Sequence, residues 1–103
     1  MERRSRRVLL LAVEDEVVLA VGGVKDTGEI TLNYVSPRTR FRGASSVLLN
    51  ALEARAAERG ATTCTLLSTE TAHRFYLARS YVDMGAPQRK HGSTASHPMA
   101  KRL

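Results

Sequence analysis

Between Ile30 and Leu52 a strand, a proline, an arginine-rich turn, a glycine and a helix follow one another with no spacer, and few folds admit that order. Ile30, Leu32 and Tyr34 alternate on one face of Ile30-Thr31-Leu32-Asn33-Tyr34-Val35, the period of a half-buried strand. Ser36-Pro37 ends it, because proline has no N–H and biases the residue before it away from helix. Arg38, Arg40 and Arg42 then crowd a short turn that runs through Gly43-Ala44-Ser45-Ser46 into helix from Val47. Unpaired N–H donors and a partial positive charge collect at a helix start, and Gly43 lets a ligand approach the backbone. The stretch therefore predicts a site for a phosphorylated anion.

At 103 residues the chain has room for one domain, 1–103, with a single modest core. Charged residues make up 25% and hydrophobic ones 43%, as in ordinary water-soluble chains. No apolar run approaches the roughly 18 residues that a membrane span needs. The opening resembles a signal peptide, but its apolar core, Val8 to Val13, is six residues long and ends at Glu14-Asp15-Glu16. The expectation is a cytoplasmic protein without membrane contact. Cys64 is alone, which excludes an internal disulfide or a thiolate metal cage, and its apolar surroundings suit a buried inert thiol.

The net charge of +6 is unevenly spread: residues 1–7 carry +3, 37–43 another +3 and 87–103 +4, while 8–36 carry −4. Such clusters attract nucleic acid, anionic membranes or polyphosphate ligands. Five aromatics, none interleaved with the arginines, do not make a stacking platform for single strands. The basic arm 1–7 and the basic tail read as solvated fringe, and nucleic acid as an unlikely partner.

In chain order, Val8–Val13 and Val17–Val24 read as strands, and Lys25-Asp26-Thr27-Gly28 as a hairpin turn into the strand at Ile30, so the first three strands form an antiparallel meander. The helix after Gly43 runs to about Arg59, with Leu48, Leu49, Leu52 and Ala56 inward, Asn50, Glu53 and Arg59 toward water, and Gly60 just past its end. Ala61–Leu67 reads as a fourth strand, reached by a right-handed crossover to a parallel neighbour. Ser68-Thr69 caps a second helix, Glu70 to about Arg79, in which Glu70 pairs with Arg74 and His73 faces solvent. Tyr81–Met84 is a short strand, 85–96 a loop, and His97–Lys101 a last strand with Pro98 at its start or edge. The order is β-β-β-α-β-α-β-(β), a mixed α/β (α+β) fold with a mainly antiparallel sheet and two helices.

Two segments in register resemble the GCN5-related N-acetyltransferase (GNAT) family. Arg40-Phe41-Arg42-Gly43-Ala44-Ser45 is similar to its Gln/Arg-x-x-Gly-x-Gly/Ala acyl-CoA signature, and Ala72-His73-Arg74-Phe75-Tyr76-Leu77-Ala78-Arg79-Ser80-Tyr81 to its Ala-x-x-Phe-Tyr-x-x-x-Gly-Phe/Tyr segment. The resemblance implies acetyl-CoA as acyl donor, no metal, and an unidentified amine acceptor. Asn33, Tyr34 and Val35 would lie along the pantetheine arm. Backbone N–H groups of Phe41, Arg42, Gly43, Ala44, Ser45 and Ser46 would hold the pyrophosphate, with charge from Arg40 and Arg42. Thr69 stands where many relatives have an asparagine on the pantetheine, and Tyr76 where many have the tyrosine that protonates the departing thiolate. A phenol near pKa ~10 suits that role.

The sequence departs from the pattern at Ser45, for glycine or alanine, at Thr69, and at Ser80, for glycine. Relatives also usually begin with a strand and two helices that wall the acceptor pocket, whereas seven residues precede the first strand here. The chain is thus expected to cover the donor half and to leave apolar sheet surface uncovered, which favours homodimers or poor solubility. No residue stands out as general base. Two other functions stay open: a CoA-binding module without catalysis, and a small basic nucleic-acid-binding protein.

Overall fold

Apolar alternation and tight turns fold the first third of the chain into a meander. The protein, as a computed structural model, is described at residues 7–14, 17–36, 43–89 and 95–103. Strands β1 (Arg7–Glu14), β2 (Val17–Lys25) and β3 (Ile30–Val35) pair antiparallel in the order β1-β2-β3. Gly28, at φ 94°, closes the β2–β3 turn with its N–H on Lys25 O at 2.8 Å. Along β3, Tyr34 pairs with Val21 and Leu32 with Gly22, so Asn33 is an extra residue with no partner across the ladder. A bulge of this kind bends its strand.

Helix α1 (Ala44–Glu58) covers one face of the meander, burying Leu48, Leu49, Leu52 and Ala56 with Ala20, Val24 and Ile30. Its last turn ends in paired bonds, Ala61 N–H to Ala56 O and Gly60 N–H to Ala57 O, both 3.0 Å, with Gly60 at φ 93°. Glu53 corrects the sequence expectation: it is buried, accepting from Tyr81 Oη at 2.8 Å and Lys101 Nζ at 3.0 Å. Both partners are distant in sequence, so helical period alone places this carboxylate in water. On the opposite face of β1, Leu9, Leu11 and Val13 remain more than half exposed, at 60, 57 and 53%. Among the described residues nothing covers that side of β1.

The second sheet has the order β4-β6-β5, from β4 (Thr63–Thr69), β5 (Val82–Asp83) and β6 (Ser96–Arg102). Among the described residues the predicted crossover meets β4 at one isolated parallel bridge just ahead of β3, Glu29 with Thr65, where Thr65 N–H donates to Gly28 O at 3.0 Å. Beyond it the strands belong to separate sheets. Pro98, expected at a start or edge, lies in the central strand opposite Leu67. Its C=O accepts from Met84 N–H at 2.8 Å, on the β5 side. In an antiparallel ladder a residue's N–H and C=O point to the same neighbour, so the missing N–H faces short β5 and costs β4 nothing.

Helix α2 (His73–Leu77) is shorter than expected, although Thr69 Oγ1 does accept from Ala72 N–H at 3.2 Å ahead of it. It closes as α1 does, with Tyr81 N–H on Tyr76 O at 3.1 Å and Ser80 N–H on Leu77 O at 3.2 Å. Here the left-handed position is taken by Ser80, at φ 74°. A side chain in that conformation costs about 1–2 kcal/mol. Ser80→Gly is expected to raise stability by about 1 kcal/mol, about 5 °C in Tm by thermal denaturation.

Cys64 is fully buried, and burial pushes its thiol up to about 11, an inert state as expected. Among the described residues no helix is long and apolar enough to cross a membrane.

Candidate active site

The divergence of β3 from β4 opens a groove of about 1180 Å³ between the two sheets, bounded by α2 on one side and the start of α1 on another. Val35, Gly43, Ser45, Ser46, Thr69 and Tyr76, all singled out from sequence, line it together. Ala44 is the buried first residue of α1. Asn33 and Tyr34 lie in β3 through their backbone, and their side chains fall outside the described residues, as do Arg40, Phe41 and Arg42 entirely.

The start of α1 is built for an anion. Gly43 occupies the N-cap position in the left-handed region, φ 75° and ψ 14°, and with no side chain it makes no cap hydrogen bond of its own. The first turn carries no acidic residue. Helical geometry leaves the N–H groups of Ala44, Ser45 and Ser46 without intrahelical acceptors, and the helix dipole adds to their field. The pattern is that of an open phosphate cradle.

Arg79, not among the residues singled out from sequence, stands beside this helix start. Its Nε donates to Ser46 Oγ at 2.9 Å, its Nη2 reaches the same oxygen, and its Nη1 donates to Phe75 O at 3.3 Å. The guanidinium carbon lies 4.0 Å over the Phe75 ring, so packing and three donors fix the cation at the groove wall. Its position just after the aromatic pair of α2 is the only sequence signal that could have marked it.

Tyr76 projects from α2 between two rings, edge-on to Phe75 at 5.1 Å and to Tyr81 at 5.6 Å. The residue is 6% exposed, and burial pushes its phenol up to about 12. Among the described residues no buried side-chain oxygen lacks a partner, and the Tyr76 hydroxyl has none, so it opens into the groove. It stays protonated at neutral pH and is free to donate to a ligand. Thr69 lines the same groove, but its hydroxyl already serves Ala72 N–H.

Splayed strands, a bulged wall and an uncapped helix start thus surround one groove. The chain belongs to the acetyltransferase (GNAT) domain family, which it matches over residues 1–103. Among solved structures it is similar to a GCN5-related N-acetyltransferase from Rhodopseudomonas palustris, at 29% identity and TM-score 0.84, over 94% of this chain and 62% of that one. It therefore spans less than two thirds of that relative's length. An acetyltransferase from Bacillus cereus is 25% identical, with TM-score 0.79, over 96% of this chain and 74% of that one. An aminoglycoside 6′-N-acetyltransferase complexed with coenzyme A shares the fold at 21% identity and TM-score 0.81, over 93% of this chain and 72% of that one. A search of curated proteins finds no match.

Proposed function

We propose that the protein is an N-acetyltransferase that moves the acetyl group of acetyl-CoA to a primary amine. The observation that carries this is the convergence of an uncapped α1 start and the unpartnered Tyr76 hydroxyl on one groove. In this reading the pyrophosphate sits on the N–H groups from Phe41 to Ser46, with charge from Arg40, Arg42 and Arg79. The pantetheine arm follows Asn33, Tyr34 and Val35, past Thr69, along the strand freed by the splay. A neutral amine attacks the thioester carbonyl, the C–S bond breaks, and Tyr76 hands its proton to the leaving sulfur. The amine nitrogen releases its proton to water, and the phenol is restored from solvent. No step calls for a metal. Holding the thioester beside a fixed donor supplies proximity and charge stabilisation together. The free, buried Cys64 is compatible with a reducing compartment such as the cytoplasm.

One rival reading draws on the bare β1 face: a chain that binds acyl-CoA without turning it over, or one whose acceptor site is completed by a second copy. A thiol-release assay over a panel of primary amines separates the first of these from a working transferase, because a chain that only binds acyl-CoA releases no thiol when amine is added. Arg79→Ala is expected to raise the KM for acetyl-CoA about tenfold or more, the usual worth of a charged hydrogen bond, with kcat little changed. Arg79→Lys recovers part of the loss. An unchanged KM in both would remove Arg79 from the cradle.

A further inference from the structure

We propose that His73, Asp83 and His97 form a binding site for a divalent transition-metal ion of the zinc class, outside the groove. The three come from three elements: His73 opens α2, Asp83 ends β5, and His97 lies in β6. Strand register brings them together. Asp83 pairs with Met99, two residues from His97, so both side chains emerge on one face of the sheet. Ser68 of β4 pairs with His97, and the chain leads from there through Thr69–Ala72 into His73.

Their donor atoms all lie within 4.8 Å of one another. His73 Nε2 is 2.7 Å from Asp83 Oδ1, and the two imidazoles stack at 3.9 Å with a 13° tilt. This corrects the expectation that His73 faces solvent, and the spacing of 24 residues between the histidines hid the cluster from the sequence. Glu70, expected to pair with Arg74, instead holds His97 Nε2 at 2.9 Å. A carboxylate that takes one ring N–H of a histidine fixes its tautomer and leaves the other nitrogen as a lone-pair donor. His97 is thereby oriented before any ion arrives, and it is 8% exposed.

Two imidazoles and one carboxylate select zinc, nickel, cobalt or copper over magnesium and calcium, which prefer all-oxygen shells. Metal–ligand bonds of about 2.0–2.2 Å place donors roughly 3.4 Å apart in a tetrahedral site. The His73–Asp83 contact must open slightly and the widest gap must close by little more than 1 Å. Lone pairs of stacked rings run parallel, so uptake also tilts His73 out of the stack. None of these residues lines the groove. The ion would clamp the start of α2 to β5 and β6, one turn from Tyr76, as a brace and not as a participant in acyl transfer.

The test is a titration of the untagged, chelator-treated chain with Co²⁺ and Zn²⁺, followed by calorimetry and by the visible absorption of Co²⁺. One ion per chain is expected, with a rise in Tm on saturation. His97→Ala and Asp83→Asn should each lower affinity at least tenfold and abolish the cobalt spectrum, and Glu70→Gln should lower affinity about tenfold. His91→Ala should bind as the unaltered chain does. Absence of saturable binding at about 100 μM metal would overturn the proposal. So would binding that survives both His97→Ala and Asp83→Asn, or that is lost in His91→Ala.

Discussion

Tyr76→Phe is expected to lower kcat for acetyl transfer by about 10²–10³-fold while leaving acetyl-CoA affinity and Tm nearly unchanged. The split between rate and stability follows from geometry. The ring is held by Phe75 and Tyr81, which phenylalanine preserves, whereas the hydroxyl has no partner among the described residues. Among the described residues its removal orphans no group, so in the proposed mechanism the loss falls on the leaving sulfur. Burial also sets the pH behaviour, because it disfavours the phenolate and moves the phenol up to about 12. The acid form persists below that value, so Tyr76 imposes no alkaline loss of rate until pH nears it. A fall in rate at lower pH belongs to another group. Pre-steady-state measurement of thiol release checks the first expectation, and a variant with undiminished kcat would remove Tyr76 from the chemistry.

Gly28→Ala is expected to be the most damaging small substitution in the fold, at about 3 kcal/mol, or about 15 °C in Tm. Two penalties combine. Gly28 sits at φ 94°, where a side chain is strained by about 1–2 kcal/mol. An added Cβ would also fall 2.0 Å from Thr63 O, a backbone atom with no freedom to retreat. The neighbouring bond from Thr65 N–H to Gly28 O is part of the one described bridge between the sheets, so relief of the clash pushes them apart. Because the groove is the space between those sheets, acetyl-CoA affinity should fall with stability. Gly43→Ala is the contrast: its backbone is also left-handed, but nothing lies within 4 Å of an added Cβ. A chemical denaturation series over both variants checks the order, and a Gly28→Ala chain as stable as Gly43→Ala would show that the close approach carries no weight.

Much of this arrangement was legible in the sequence because its signals are local. Period-two runs and turn glycines marked the meander, and Gly43 and Gly60 bracketed α1. The groove residues Val35, Gly43, Ser45, Ser46, Thr69 and Tyr76 follow from the resemblance to the GNAT family, and they line one space. What escaped depends on pairings between distant segments. Glu53 is buried by partners 28 and 48 residues away, and Arg79 reaches Ser46 across 33 residues. Pro98 escaped because a proline is tolerated in a central strand when its missing N–H faces the short neighbour, and only register shows that. Ser80 was visible as a departure from glycine, but its cost appears only with its positive φ.

In the proposed complex the start of α1 holds the diphosphate end of acetyl-CoA in the groove. Calorimetric titration of the unaltered chain with acetyl-CoA and with S-acetyl-pantetheine, which keeps the thioester arm and lacks the phosphates, tests it most directly. Saturable binding of one acetyl-CoA per chain is expected, at least tenfold tighter than S-acetyl-pantetheine and weakening as salt screens the phosphates. Equal affinity for the two ligands, or no binding of acetyl-CoA, would contradict it.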